Sequence, residues 1–469
     1  METHPFFGTD GIRGTANQYP ITPEGAVSIG RSLVRALQRQ QPNKNPLQIL
    51  IGRDTRISGL MLEHALASSL CSEGSDVLLL GVLPTPAVSY LTRFMKADAG
   101  IMITASHNPY LDNGIKIFSK DGLKLNDHME AEIECEIKKN LKHIHSNYFD
   151  PDIAHLGNSR AADRFHKKYT NYLTTLFKDK IDLSSWRITL DCAHGAAINS
   201  AAQTLKKLGA GLFCIGRDPN GININQNCGA LCTAAASKLT LESQSHLGIV
   251  LDGDGDRCIL IDERGEMLNG DQILGLCALD MNRENKLPGR AVVATHLSNM
   301  GLELALQSNG IRLLRSKVGD KYVLNALMEN NLILGGEQSG HLLFLDALWT
   351  GDGILTALKV LEIMNKTNRS LSELKKEIPL LPQVHESIPV RRKEPFENIL
   401  EVKNAINLTT STLGSKGRVL VRYSGTEPIA RVMVEGEHLG TIKDLSQKIA
   451  QSIQSHLGQS NLGSSPNMA

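Results

Sequence analysis

Three times this chain passes through one progression: an apolar strand, a glycine- or serine-rich turn, a helix, and a second strand. The first pass is QILIGRD, MLEHALASSLCSEG and DVLLLG. The second is RITLDCAHGAA, a helix to KKLGA, then LFCIGRD; the third is RAVVATH, a helix to QSNG, then IRLLRSKVGD. The strand IRGT and the helix PEGAVSIGRSLVRALQRQ precede the first pass, with Thr22 as N-cap and Pro23 in the first turn. Such alternation predicts α/β architecture, with parallel or mixed sheets covered by helices. From about Leu380 the order changes to a strand, HESIPVRR, a helix, the strands RVLVRYS and ARVMVEGE, and a last helix, TIKDLSQKIAQSIQSHL. That order suits a smaller α+β domain with an antiparallel sheet. We therefore expect three related α/β domains with mixed sheets and a C-terminal α+β domain, spanning 1–157, 158–264, 265–378 and 379–469. A chain of 469 residues is too long for one core, which agrees. The closing GQSNLGSSPNMA is small and polar and is expected to be a disordered tail.

Charge and cysteine usage exclude several classes. Fifty basic residues against 49 acidic ones leave a formal net charge of +1. That balance argues against a broad nucleic-acid or membrane surface. No apolar run reaches about 18 residues, and METHPFFGTDGIRG lacks the apolar core of a signal peptide. The eight cysteines are scattered, mostly beside apolar residues, and read as core thiols in a reducing compartment, hence the cytoplasm. Cys228 and Cys232 are four apart, but no second Cys/His pair at zinc spacing accompanies them.

Five turns can carry chemistry. In TASHNP, Thr104 to Pro109, Ser106 and His107 stand where an apolar strand breaks into polar loop. Alone, that serine reads equally as a turn or cap, and an adjacent histidine is not thereby its base. In DGDGDR, Asp252 to Arg257, three carboxylates at every second residue can converge on one hard cation, the glycines allowing a tight curl. An EF-hand is the rival, since Asp252, Asp254, Asp256 and Glu263 match its spacing. Arg257 stands where that loop needs glycine, however, and strands flank it where helices are required. GEQSGH, Gly336 to His341, brackets hydrogen-bonding side chains with glycines, which suits sugar hydroxyls or an ordinary polar turn. RYSGTEP, Arg422 to Pro428, offers an arginine, hydroxyls and a glycine N–H to a phosphate dianion. FGTDGIRG, Phe7 to Gly14, can place Arg13 against an anion but lacks the GKS or GKT of a P-loop.

In identity, order and spacing these five motifs together resemble the α-D-phosphohexomutase family over nearly the whole chain. The forms FGTDGIRG, GEQSGH and RYSGTEP, with DNGIKIF at 112–118 and NINQNCGA at 223–230, look most like the bacterial branch acting on glucosamine phosphates. One departure is His194 in DCAHGA, where that branch usually carries asparagine. The resemblance implies four domains around a central cleft, bearing in order a phosphoserine loop, a metal-binding loop, a sugar-binding loop and a phosphate-binding loop. It implies an isomerase that moves a phosphoryl group between the 1- and 6-positions of glucosamine phosphate through a 1,6-bisphosphate. Alternatives are the same mechanism on mannose or glucose phosphates, and a metal-dependent sugar phosphatase.

Position by position, the resemblance makes Ser106 the phosphoserine. One Mg²⁺ per chain would be held by Asp252, Asp254, Asp256 and a phosphate oxygen on Ser106. Arg13, His107, Lys116 and Arg257 match the surrounding positive groups, with Lys116 the candidate general acid/base. Glu337, Ser339 and His341 match the sugar loop; Arg422, Ser424, Gly425 and Thr426, with Arg431, match the clamp on the non-reacting phosphate. A hexosamine 1,6-bisphosphate or similar compound would prime Ser106. Lysine crowded by cations has a depressed pKa, so Lys116 is expected to take a proton near neutral pH. The intermediate must turn round between two transfers, so the fourth domain is expected to be mobile. The partner implied is a small sugar phosphate, not nucleic acid or membrane; the oligomeric state is left open, a homodimer among the options.

Overall fold

The computed structural model describes residues 6–8, 10–142, 156–424 and 427–458. The polar tail after 458 lies outside the described residues. The chain divides into two compact units, Met1–Ser298 with Leu306–Ile378, and Asn299–Ala305 with Pro379–Ala469. Among the described residues, three sheets belong to the first unit and one to the second.

The first sheet has six strands. From edge to edge they are Ile12–Thr15, Asp112–Ser119, Ala99–Ile103, Gln48–Arg53, Asp76–Val82 and Ser159–Ala161. The last four run parallel to one another, whereas Asp112–Ser119 is antiparallel to both of its neighbours. The second sheet orders Met267–Leu268, Cys258–Asp262, Leu247–Leu251, Arg187–Asp191 and Gly211–Ile215. Here Leu247–Leu251 is parallel to Arg187–Asp191 and antiparallel to Cys258–Asp262. The third orders Arg312–Ser316, Ala291–Thr295, Leu334–Gly336 and Leu342–Phe344, again parallel until the last pair. Each sheet is thus a parallel set extended by an antiparallel strand, the mixed α/β architecture expected from the repeated progression. In the second unit, Gln383–Pro389, Ile429–Gly436 and Gly417–Tyr423 form the expected antiparallel sheet, with Ile429–Gly436 in the middle.

Local chemistry explains the elements. Helix Pro23–Gln40 begins where the Thr22 side chain accepts the Gly25 N–H at 3.1 Å and proline opens the first turn. Its Ile29, Leu33 and Leu37, four apart, are buried in one core with Ile49 and Ile51 of the sheet. In the second unit Ile442, Ile449 and Ile453 of helix Leu439–Leu457 pack on Val432 and Val434 of the central strand. No described helix is long and apolar enough to cross a membrane.

Candidate active site

One topological position recurs. In each of the first three sheets, the loop joining the last parallel strand to its antiparallel neighbour is one of the polar motifs: Thr104 to Leu111, Asp252 to Arg257, and Glu337 to His341. Asp252–Arg257 is therefore a strand-to-strand loop, as its flanking residues predict, and not an EF-hand. RYSGTEP likewise joins antiparallel strands, in the second unit.

Ser106 and the acidic loop meet. Ser106 is 1 % exposed and its Oγ donates to Asp252 Oδ2 at 2.6 Å. His107 Nδ1 lies 3.4 Å from the same Oγ. Ser106 has φ +51°, the left-handed region that a side-chain-bearing residue seldom enters. Its carbonyl lies so close to Gly253 that a Cβ there would sit 2.6 Å from it, so the first glycine of DGDGDR is required by this approach. The second, Gly255, is itself left-handed at φ +71°.

Asp252, Asp254 and Asp256 are buried and offer one oxygen each within 4.8 Å of one another. Among the described residues they are the one cluster of three or more acidic, histidine or cysteine side chains at such spacing. Asp254 Oδ1 and Asp256 Oδ1 are buried without a hydrogen-bond partner. Burial, then Asp256 and Asp254, push the Asp252 carboxyl well above its usual range. Buried carboxylates that repel one another, two of their oxygens without a hydrogen bond, fit a divalent cation. Arg257 supplies its N–H to Asp252 Oδ1 at 3.1 Å, and its Nε is 4.0 Å from Asp256 Oδ1.

Lys116 departs from expectation. Its ammonium is buried 2.8 Å from Asp254, 3.0 Å from Asp256 and 3.1 Å from Asp10. Burial opposes the charge, but Asp10, Asp254 and Asp256 overcome it and hold the lysine well above its ordinary value. Its neighbours are carboxylates, not the crowd of cations expected, so the predicted depression is corrected to a rise. His107 moves the other way, to about 4, through burial, then Arg257 and Arg13.

Asp10, Lys124 and Asp320 belong to this centre and escape the motif reading. Asp10 pairs with Arg13, Lys116 and Lys124, and Lys124 with Asp320. His341 closes the ring: Nε2 is 3.7 Å from Asp320 and Nδ1 is 3.5 Å from Asp256. Against burial, Asp256 and Asp320 raise His341 to about 9. It thus lies against the acidic loop, while Glu337 and Ser339 occupy the turn before it. Glu337 Oε1 accepts the Gly319 N–H at 2.9 Å, and the buried Ser339 Oγ has no hydrogen-bond partner. Asp10 stands inside a motif already singled out; Lys124 and Asp320 carry no local signal.

In the second unit, Arg422 and Arg431 are directly opposed across antiparallel strands and so share a face. Burial, then Arg431, lowers the Arg422 pKa. Arg431 pairs with Glu427 at 3.0 Å, and Ser424 Oγ accepts the Glu427 N–H at 3.3 Å. Two guanidinium groups on one strand pair repel unless an anion lies between them, which suits phosphate. Gly425 and Thr426 lie outside the described residues.

Known proteins resemble this chain over nearly its whole length. Sequence patterns described as phosphoglucomutase/phosphomannomutase alpha/beta/alpha domains I, II and III match residues 4–143, 167–265 and 269–380, and that of the C-terminal domain matches 388–452. The chain is 44% identical to the phosphoglucosamine mutase of Syntrophotalea carbinolica over 455 residues, 96% of this chain and 98% of that protein. It is 45% identical to that of Nitrosococcus oceani, over 97% of this chain and 98% of that protein. A phosphoglucomutase/phosphomannomutase family protein from Burkholderia thailandensis has a similar structure, with TM-score 0.79 at 22% identity, covering 98% of this chain and 100% of that one. So does Aspergillus fumigatus N-acetylphosphoglucosamine mutase, solved with GlcNAc-6P and magnesium, with TM-score 0.65 at 17% identity over 96% and 95% of the two chains.

Proposed function

The chain belongs to the phosphoglucomutase/phosphomannomutase family, and from that premise we propose that it interconverts glucosamine 6-phosphate and glucosamine 1-phosphate with Ser106 as phosphoryl carrier. The observation that carries the mechanism is the contact of Ser106 Oγ with Asp252 at 2.6 Å, which joins a phosphoryl acceptor to a cation-binding loop in one buried centre. Phosphorylated Ser106 gives its phosphoryl group to the free hydroxyl of the sugar monophosphate, making a 1,6-bisphosphate. The bisphosphate turns round, and its other phosphate returns to the Ser106 hydroxyl. Each transfer breaks one P–O bond and forms another, with no net hydrolysis.

Asp252, Asp254 and Asp256 would hold Mg²⁺, one per chain, which supplies charge neutralisation for the phosphoryl oxygens and for the carboxylates facing Lys116. Arg13 and Arg257 add fixed positive charge beside them. We assign proton handling at the attacking and leaving oxygens to Lys116, which stands beside the triad; carboxylates neutralised by the cation would no longer hold its ammonium charged, so that it could give up a proton and take it back. His107 orients the Ser106 hydroxyl. Glu337 and Ser339 read the sugar, His341 steadies their loop through Asp256, and Arg422 with Ser424, Gly425, Thr426 and Arg431 holds the phosphate that is not reacting. These roles follow the four-part division at 157, 264 and 378. A hexosamine 1,6-bisphosphate would supply the first phosphoryl group. Eight free thiols suit a reducing cytoplasm.

The test is product analysis with purified enzyme, Mg²⁺ and a bisphosphate primer on glucosamine 6-phosphate. Accumulation of the 1-phosphate to a constant ratio, without matching inorganic phosphate, is expected. Stoichiometric release of inorganic phosphate would instead make the protein a phosphatase.

A further inference from the structure

Behind the serine loop lies a second polar centre that touches none of the reacting groups. Asp54 is fully buried: Oδ1 accepts the Arg56 backbone N–H at 2.9 Å, while Oδ2 accepts Arg56 Nε at 2.8 Å and Thr104 Oγ1 at 2.7 Å. Thr104 Oγ1 in turn accepts the N–H of Ser106 at 2.9 Å. The Arg56 guanidinium, 1 % exposed, donates Nη2 to the carbonyls of Ser106 at 3.0 Å and Asn108 at 2.9 Å. Its Nη1 donates to Asp112 O at 2.9 Å and to Pro109 O. All five N–H groups of the side chain are thus committed, four of them to the backbone of one loop. From the second sheet's segment, Asn225 Nδ2 donates to the same two carbonyls, Ser106 at 2.9 Å and Asn108 at 3.1 Å.

Ser106 is therefore gripped on both sides of its left-handed residue, at the N–H by Thr104 and at the carbonyl by Arg56 and Asn225. The grip matters because that conformation aims Oγ at Asp252, and nothing in the residue itself favours it. Arg56 has no donor left for a substrate and no exposed surface to meet one. Asn225 lies in NINQNCGA, a segment to which the mechanism above gives no role.

Resting on the assignment of Ser106 as phosphoryl carrier, we infer that Arg56 and Asn225 are positioning residues that hold the Ser106 carbonyl. In doing so they direct the phosphoryl group to the sugar hydroxyl rather than to water. A loosened phosphoserine still transfers, but with less discrimination between the aligned hydroxyl and solvent.

The experiment uses the full chain with Mg²⁺, a hexose 1,6-bisphosphate and glucosamine 6-phosphate. It compares wild type with Asn225→Asp, Asn225→Gly and Arg56→Lys, with Ser106→Ala as control. Asn225 has φ +59°, which aspartate and glycine tolerate, so both remove the donor without new backbone strain. We expect kcat to fall about ten- to a hundredfold with KM unchanged. Inorganic phosphate released per mutase turnover should rise above the wild-type value. A smaller folded fraction lowers both activities together and leaves that ratio alone. An unchanged ratio in the Asn225 variants, whatever their rate, overturns the inference, and these variants carry the test even where Arg56→Lys does not fold. If Ser106→Ala retains turnover, the carrier assignment itself falls. If Ser106→Ala is inactive and the Asn225 variants match wild type, only the positioning role falls.

Discussion

Ser106 and Asp252 share one short hydrogen bond, and what each loses on substitution differs in kind. Alanine at 106 removes the Oγ and its 2.6 Å bond to Asp252 but keeps the backbone held by Thr104 and Arg56. Ser106→Ala should therefore abolish mutase turnover while its thermal unfolding stays close to wild type. Near-normal turnover, with contaminating enzyme excluded, would end the mechanism. Asp254 is a different case. Asparagine there keeps the shape but removes one of the charges a hard dication requires. We expect Asp254→Asn to weaken Mg²⁺ binding, measured by titration calorimetry, and to lower turnover by orders of magnitude. Wild-type activity that survives EDTA would remove the metal assignment. Lys116 shows where residue-scale inference from motifs fails. Its place beside Ser106's metal loop is legible from sequence, but the sign of its pKa shift depends on Asp10, which lies more than a hundred positions away.

Helix Gly353–Thr367 begins at Asp352, whose Oδ1 accepts the N–H groups of Ile354 and Leu355, each at 2.9 Å. Its Oδ2 accepts the Tyr169 hydroxyl at 2.7 Å. Removing the cap by Asp352→Ala should destabilise the protein by about 0.5–2 kcal/mol, and by more where the Tyr169 hydroxyl is left unpaired. Burial raises Asp352 from 3.8 to about 6, although the cap N–H groups and Tyr169 oppose it. A carboxyl with a raised folded-state pKa binds its proton more tightly when folded. Its stabilisation is complete below pH 3.8 and is lost as pH rises through 6. Across that window wild type should lose roughly 1–3 kcal/mol relative to Asp352→Asn, whose amide does not titrate. Denaturant unfolding at pH 4 and pH 7 checks this, and parallel profiles for the two proteins would refute it. The same helix marks a limit of reading elements from sequence. Gly353–Thr367 and Gly270–Arg283 are buried nearly all round, so neither shows the amphipathic stripe that reveals Pro23–Gln40. Short apolar strands between glycine-rich turns are legible, because burial on both faces of a parallel sheet demands unbroken apolar runs. How the polar turns of the first unit meet is not, because nothing local pairs Lys124 with Asp320 or Asn225 with Ser106.

On the proposed assignment the substrate-holding groups belong to several sheets, which makes substrate choice a property of the whole molecule. Every hexose 6-phosphate carries the same dianion, so in the proposed role Arg422 and Arg431 contribute affinity without discrimination. Arg422→Ala should raise KM for any such substrate by about ten- to a hundredfold, the worth of a lost charge-assisted pair. Discrimination must come from groups that meet C2 to C4 of the ring. Glu337 has one carboxylate oxygen fixed by the Gly319 N–H, which orients the other, and Ser339 Oγ is buried with its hydrogen-bonding capacity unspent. A buried hydroxyl that pairs only when substrate arrives penalises any sugar that leaves it unpaired. We expect kcat/KM for glucosamine 6-phosphate to exceed that for glucose and mannose 6-phosphates under one priming condition. Arg422→Ala should lower all three by the same factor and leave their ratios unchanged, whereas Ser339→Ala should compress the ratios. Equal or better turnover of glucose or mannose 6-phosphate would move the protein to another substrate within its family and leave the phosphoserine mechanism standing. Ratios altered by Arg422→Ala but not by Ser339→Ala would place specificity in the phosphate-holding sheet and overturn the division of labour drawn from the loops.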